Sequence, residues 1–140
     1  MTGSIDRREF VATCAVLCAG ALGGCVSMVT HPMPVADGRM RISLARYPEL
    51  SARGGALKVL PAGATDPVYV LATDNGFTAV SPICTHRGCT VDVNGERLVC
   101  PCHGSTYDRE GRVLKGPAQR ALQRFPVRRS ADDLIIELVS

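Results

Sequence analysis

The chain has 140 residues, room for one small domain and too few for a nucleotide-binding domain beside a catalytic one. Hydrophobic residues make up 46% and charged residues 21%, which argues against a disordered chain; the net charge of +3 arises without a basic run or interleaved aromatics, which argues against a nucleic-acid partner. Trp is absent and 14 Gly and 9 Pro punctuate the chain, so short strands and many turns around a modest core are expected.

Asp6, Arg7, Arg8 and Glu9 precede a stretch, Phe10 to Thr30, with no charged residue. A charged start ahead of an apolar segment is the layout of an export signal. Arg7 and Arg8 followed by Phe10 resemble the twin-arginine signal, which carries proteins across a membrane already folded. Three outcomes stay open after export. Leu22-Gly23-Gly24-Cys25 resembles a lipobox, which would leave Cys25 lipidated at a new N-terminus. The 21 residues from Phe10 to Thr30 also suffice for an uncleaved anchor, since about 20 span a bilayer. Cleavage after Ala19-Gly20-Ala21 would instead release a soluble protein. Cys14 and Cys18 read as small apolar residues of the signal.

Residues 1–30 are thus expected to be signal or anchor, 31–39 a linker and 40–140 the folded body. The Pro/Gly-rich run from His31 to Gly38 reads as a tether that reaches at most about 28 Å, with His31 solvated. In the body, alternating segments recur between turn signals: Arg41 to Ala45, Ala56 to Leu60, Pro67 to Ala72, Gly76 to Val80, Thr90 to Val93 and Arg97 to Cys100. They continue with Arg112 to Leu114, Ala121 to Val127 and Asp133 to Leu138. Turns at Asp74-Asn75-Gly76 and Asn94-Gly95 join some of them, and no helical period or long repeat interrupts. The pattern predicts an all-β fold of antiparallel sheets packed as a sandwich or barrel.

The chemistry concentrates in Cys84-Thr85-His86-Arg87-Gly88-Cys89 and Cys100-Pro101-Cys102-His103-Gly104-Ser105. Thiolates and imidazoles together point to zinc or iron–sulfur chemistry. Zinc fingers group Cys with Cys and His with His, whereas here each loop offers one Cys, one His and an extra Cys. The pattern C-x-H-x-x-C with C-P-C-H-G-S closely resembles the Rieske iron–sulfur proteins, and the resemblance covers roughly residues 40 to 140.

That resemblance implies a Rieske-type β-sandwich or barrel with a small cluster-binding subdomain and one 2Fe-2S cluster per chain. Cys84 and Cys100 would bind one iron and His86 and His103 the other. Replacing two thiolates by neutral imidazoles leaves such a cluster less negative, and family potentials run from roughly −150 to +300 mV. Cys89 and Cys102 match the pair that forms a disulfide in the high-potential members of respiratory and photosynthetic chains, a bond suited to an exported domain. Ser105 and Tyr107 match positions whose hydroxyls donate to a bridging sulfide and to the first Cys ligand. Tyr107-Asp108-x-x-Gly111-x-Val113 also follows the family, Gly116-Pro117-Ala118 matches its proline loop, and Gly88 and Gly104 are expected to allow a close backbone approach to the cluster. Arg87 departs from the leucine common at this place in quinol-oxidising complexes; a guanidinium is costly to bury alone, which favours docking on a polar or acidic surface.

The implied function is single-electron transfer at the outer face of the cytoplasmic membrane or in the periplasm, from a respiratory donor to a cytochrome-like acceptor. The alternatives are a subunit of a quinol:cytochrome c oxidoreductase, a subunit of an arsenite-oxidase-like molybdenum enzyme, or a zinc-stabilised module without redox activity. No Ser/His/Asp arrangement, phosphate loop or substrate domain points to a self-contained catalyst.

Overall fold

The computed structural model describes residues 27–138. Arg7, Arg8, Cys14, Cys18 and Cys25 lie outside the described residues. Among those described, no helix is long and apolar enough to cross a membrane.

The fold is built almost entirely of strands. A five-stranded sheet runs in the order β1 (Thr30–Met33), β4 (Ala56–Pro61), β5 (Val68–Thr73), β6 (Gly76–Val80) and β11 (Arg124–Phe125). A second sheet orders β12 (Val127–Ser130), β13 (Asp133–Glu137), β3 (Arg39–Ser43) and β2 (Val35–Ala36). A third orders β10 (Val113–Lys115), β9 (Thr106–Asp108), β8 (Arg97–Val99) and β7 (Asp92–Asn94). All pairings are antiparallel except β1 with β4. One 3-10 turn, Pro48–Ser51, lies between β3 and β4.

The five-stranded sheet is central and apolar on both faces, as its β5 sequence Val-Tyr-Val-Leu suggests. Val68 and Val70 face the first core, with Met40, Ile42, Leu134 and Ile136 of the second sheet. Tyr69 and Leu71 face the other way, into a core shared with Val91, Leu98, Tyr107, Ala118 and Leu122. Alternation of side chains along a strand thus joins two cores through one backbone. Gly55, at the entry to β4, is fixed by crowding: a Cβ there would lie 2.1 Å from the Glu49 carbonyl oxygen.

The segment expected to be a free tether is part of the fold. Residues 30–33 pair with Lys58–Pro61, and Val35 and Ala36 pair with Met40 and Arg39. Pro32 and Pro34 are compatible with this because β1 is an edge strand, where a missing N–H leaves no ladder bond unmade. His31 is not a solvated linker residue either; its ring packs edge-on to Tyr47 with centroids 5.2 Å apart.

Candidate metal centre

Two loops of the third sheet's lobe carry the Cys/His pairs, and they fold alike. In the first, the Cys84 N–H donates to the Cys89 carbonyl at 2.7 Å and the Gly88 N–H to the Cys84 carbonyl at 2.9 Å. In the second, the Cys100 N–H donates to the Ser105 carbonyl at 2.8 Å and the Gly104 N–H to the Cys100 carbonyl at 2.9 Å. Each turn needs a left-handed residue four places after its first cysteine, and Gly88 (φ 80°) and Gly104 (φ 77°) supply it. The requirement visible at these glycines is conformational, since a Cβ at either would meet nothing within 4 Å.

The loops are locked together covalently. Cys89 and Cys102 form a disulfide across 13 residues of sequence, as the resemblance implied. The sulfurs of Cys89, Cys100 and Cys102 cluster within 4.8 Å of one another, but two of the three are spent in this bond and cannot act as thiolate ligands. Cys84 and Cys100 remain as free thiols, both buried in the second core, while His103 is exposed and His86 half-buried beside it. The two imidazoles stand edge to face with centroids 4.8 Å apart. The donor set therefore has sulfur at its root and nitrogen at its tip.

Tyr107, fully buried on β9, reaches this set. Its hydroxyl lies 3.3 Å from Cys84 Sγ, accepts from the Thr85 N–H at 3.3 Å and sits 3.2 Å from Thr85 Oγ1. Thr85 Oγ1 spends its one proton on the Arg120 carbonyl at 2.6 Å, so the phenolic proton points toward Oγ1 or the Cys84 sulfur. Ser105 is fully buried and its Oγ accepts from the Ala118 N–H at 3.0 Å, leaving its own proton to donate. Burial pushes the Cys84 thiol up, but hydrogen bonds from Tyr107, the His86 backbone, Cys100 and Ser105 outweigh it and hold the thiol below its ordinary value. Burial raises the Cys100 thiol, and the neighbouring Cys84 adds to the rise.

His86 Nδ1 is buried and has no hydrogen-bond partner. An orphaned polar atom at the heart of a site requires an explanation, and a metal ligand supplies one. Two buried thiols, an unpartnered imidazole nitrogen and a second imidazole beside it are donors of the two kinds that a Rieske centre uses. Residues 44–126 match the Rieske [2Fe-2S] domain. The chain belongs to the Rieske [2Fe-2S] family. Its cofactor is accordingly a 2Fe-2S cluster, and the four side chains just described fit it.

Relatives of this Rieske chain include the cytochrome b6-f complex iron–sulfur subunit of Prochlorococcus marinus (strain AS9601), 31% identical over an alignment of 137 positions that covers 85% of this chain and 77% of the relative. The corresponding subunit of Synechococcus elongatus is 38% identical over 76 residues, 51% of this chain and 42% of the relative, so that match spans less than half of the relative's length. Among solved structures, the cyanobacterial plasma membrane Rieske protein PetC3 from Synechocystis PCC 6803 is 36% identical, with a TM-score of 0.54 over 67% of this chain and 93% of that one.

Three features of this Rieske site are missing from the motif as a string. Thr85 connects Tyr107 to the Arg120 carbonyl and so joins the first cluster loop to the segment after Pro117. Asp108 closes the β9–β10 turn, accepting from the Arg112 backbone N–H at 2.8 Å and from Arg112 Nε at 2.7 Å. Arg109, only 4% exposed, donates to the carbonyls of Ala72 (2.7 Å), Gly95 (2.6 Å) and Gly55, pinning the lobe to the central sheet. A charged residue directly after the Tyr-Asp pair was the one available signal for it, and sequence alone gives an arginine there no reason to be buried.

Proposed function

We propose that Cys84 and Cys100 bind one iron of the cluster and His86 and His103 the other, and that the protein passes single electrons to and from a redox protein. The observation that carries the assignment is the unpartnered, buried His86 Nδ1 in a cradle with two buried free thiols. When bound, the cluster takes up or releases one electron. Cys84 and Cys100 anchor it in the apolar core and exclude water from its sulfur end. Tyr107 and Ser105 donate toward that end, which favours the more negative, reduced charge state. His103, exposed at the tip, is the shortest route for an electron to leave. Purified protein is expected to contain two irons per chain and, when reduced, a paramagnetic signal of mixed Cys/His ligation. Stoichiometric zinc without that signal, after anaerobic reconstitution, overturns the reading.

The chain is further proposed to be exported through its Arg7-Arg8 signal and held at the outer face of the cytoplasmic membrane by a lipid on Cys25. The plasma membrane relative supports that location. Replacing both arginines by lysine is expected to leave precursor in the cytoplasm, and fatty-acid labelling reports on Cys25. Membership of a quinol-oxidising complex is the second reading, favoured by the cytochrome b6-f subunits among the relatives. Exposed Arg87 beside His86 weighs against it, because the tip would have to bury a guanidinium in an apolar pocket.

A further inference from the structure

The surface around the two histidines is assembled from three separate segments: residues 84–90, residues 100–106 and residues 114–121. The Cys89–Cys102 disulfide joins the first to the second. The Ala118 N–H to Ser105 Oγ bond joins the second to the third, and Thr85 Oγ1 donating to the Arg120 carbonyl joins the third to the first. The tip is therefore a closed, cross-tied face. Arg87 from the first segment and Lys115 and Arg120 from the third are all exposed on it. None of the three segments contains an aspartate or glutamate.

This sets the tip apart from the β12-β13-β3 face and from the β9–β10 turn. On the β12-β13-β3 face Arg39, Arg41 and Arg128 are each within 4.0 Å of a carboxylate, of Glu137 or Asp133, and Arg112 at the β9–β10 turn is paired with Asp108 and Glu110. Arg87, Lys115 and Arg120 are in no such pair. Leu114, next to Lys115 in the third segment, is one of two large hydrophobic side chains left strongly exposed among the described residues. One apolar contact within an unneutralised cationic surface is the composition of a docking face that selects by charge and releases readily.

We propose that the tip formed by Arg87, Lys115, Arg120 and Leu114 is a docking surface for the acidic face of an electron-transfer protein, so that charge steers the partner onto the exposed His103 edge. The proposal rests on the reading of that edge as the electron exit. Arg87 directly follows His86, whose ring lies 4.8 Å from that of His103 between centroids, and Lys115 and Arg120 flank the Gly116-Pro117 turn. Each brings a full positive charge to a surface with no carboxylate of its own, and attraction across a Debye length of about 10 Å at 0.1 M salt reaches well beyond contact. Steering of this kind raises association rates by about 10- to 1,000-fold and falls steeply with salt.

The test uses the cluster-loaded protein and two small probes of opposite charge. One electron passes from the reduced protein to hexacyanoferrate(III), which becomes hexacyanoferrate(II), or to tris(phenanthroline)cobalt(III), which becomes the cobalt(II) complex; no proton is transferred to either. The anion's rate is expected to fall and the cation's to rise as salt increases from about 0.01 M to about 1 M, where the Debye length shrinks from about 30 to about 3 Å. The triple variant R87Q/K115Q/R120Q is expected to lose about tenfold of the low-salt anion rate, with its reduction potential and visible spectrum retained. The control R39Q/R41Q/R128Q removes the same net charge from the far face and is expected to change that rate much less.

Equal effects of the two triples, or salt responses of the same sign for both probes, overturn the docking surface and leave the electron-transfer reading intact. No exchange with either probe by cluster-loaded protein overturns the electron-transfer reading and the docking surface with it. Cosedimentation with phosphatidylglycerol vesicles that requires Arg87, Lys115 and Arg120, together with probe rates that ignore them, assigns the face to a lipid surface and overturns the proposal.

Discussion

Arg109→Met removes a guanidinium that is only 4% exposed and holds three pieces of backbone together: the start of β4 at Gly55, β5 at Ala72 and the β7–β8 turn at Gly95. The Gly55 carbonyl keeps the Ala72 N–H at 2.9 Å as a donor, and each buried carbonyl left without one costs about 1 to 3 kcal/mol. Part of that is recovered because the charge is itself expensive to bury; burial pushes the Arg109 pKa below its ordinary value, with Glu96 and Glu110 pulling it back. The net loss is expected at about 3 to 5 kcal/mol, the range found when a buried charged group loses its partner. With a urea m-value of about 2 kcal/mol/M, the midpoint falls by about 1.5 to 2.5 M. Arg109→Lys keeps the charge, but a single ammonium cannot span three carbonyls on three elements, so it should restore less than half. Urea titration of cluster-loaded protein, followed at once by far-UV circular dichroism and visible absorbance, provides the assay. The cluster signal is expected to disappear at or before the backbone signal, since the bonds to Ala72 and Gly55 are the ones that tie the lobe with the Cys/His loops to the central sheet. A loss under about 1 kcal/mol in the Met variant, or full stability in the Lys variant, refutes the bridging role.

Tyr107→Phe and Ser105→Ala should each lower the reduction potential, by at most about 65 to 125 mV, because a hydrogen bond to a charged group contributes about 1.5 to 3 kcal/mol and 59 mV corresponds to about 1.4 kcal/mol for one electron; an unmoved potential with intact cluster in voltammetry removes the bond in question. Replacing Cys89 and Cys102 together by Ser frees a loop of sequence separation 13 and should cost about 3 kcal/mol, read as earlier bleaching of the cluster during thermal scans of the double variant. Tyr69 is buried, donates to the Val91 carbonyl at 3.0 Å, and has its pKa raised above 10.0 by burial and by Asp92. Above pH 10.0 the folded state keeps a proton that the unfolded state has lost, so stability is full below pH 10.0 and declines as pH rises toward the folded value; denaturant midpoints measured from pH 8 to 11 should show this slope, and Tyr69→Phe should remove it.

The family was legible in the two Cys/His loops because their signal is local: a metal centre needs fixed residue types at fixed spacing, and a left-handed turn needs glycine at one place. The strands from Ala56, Gly76, Arg97 and Asp133 were legible because apolar alternation is local too, and the structure keeps their starts. The predicted strand Ala121 to Val127 is in fact two, β11 and β12, in different sheets on either side of Pro126. There the alternation continued while the hydrogen-bonding partner changed, and periodicity carries no information about partners. β9 went unseen because Thr106-Tyr107-Asp108 offers one apolar side chain and no apolar alternation. β1 was hidden by its prolines: His-Pro-Met-Pro has a linker's composition, and only its position at a sheet edge, a tertiary fact, makes it a strand. Arg109 escaped for a similar reason, since its three acceptors come 14, 37 and 54 residues away.

The pairing of β1 with β4 changes how far the domain could travel on the proposed lipid tether. A free segment from His31 to Gly38 would have let the domain swing through about 28 Å, enough to shuttle between two fixed stations. With Thr30 already pinned to Lys58 and Met28 packed against the second core, a lipid on Cys25 would leave far less slack than that. Such a head sits close to its membrane and meets its partners by drifting in the plane of the bilayer. Delivery of electrons would then be limited by how often acceptors pass, and lengthening the leash by a few glycines after residue 29 would measure how much mobility the sheet withholds.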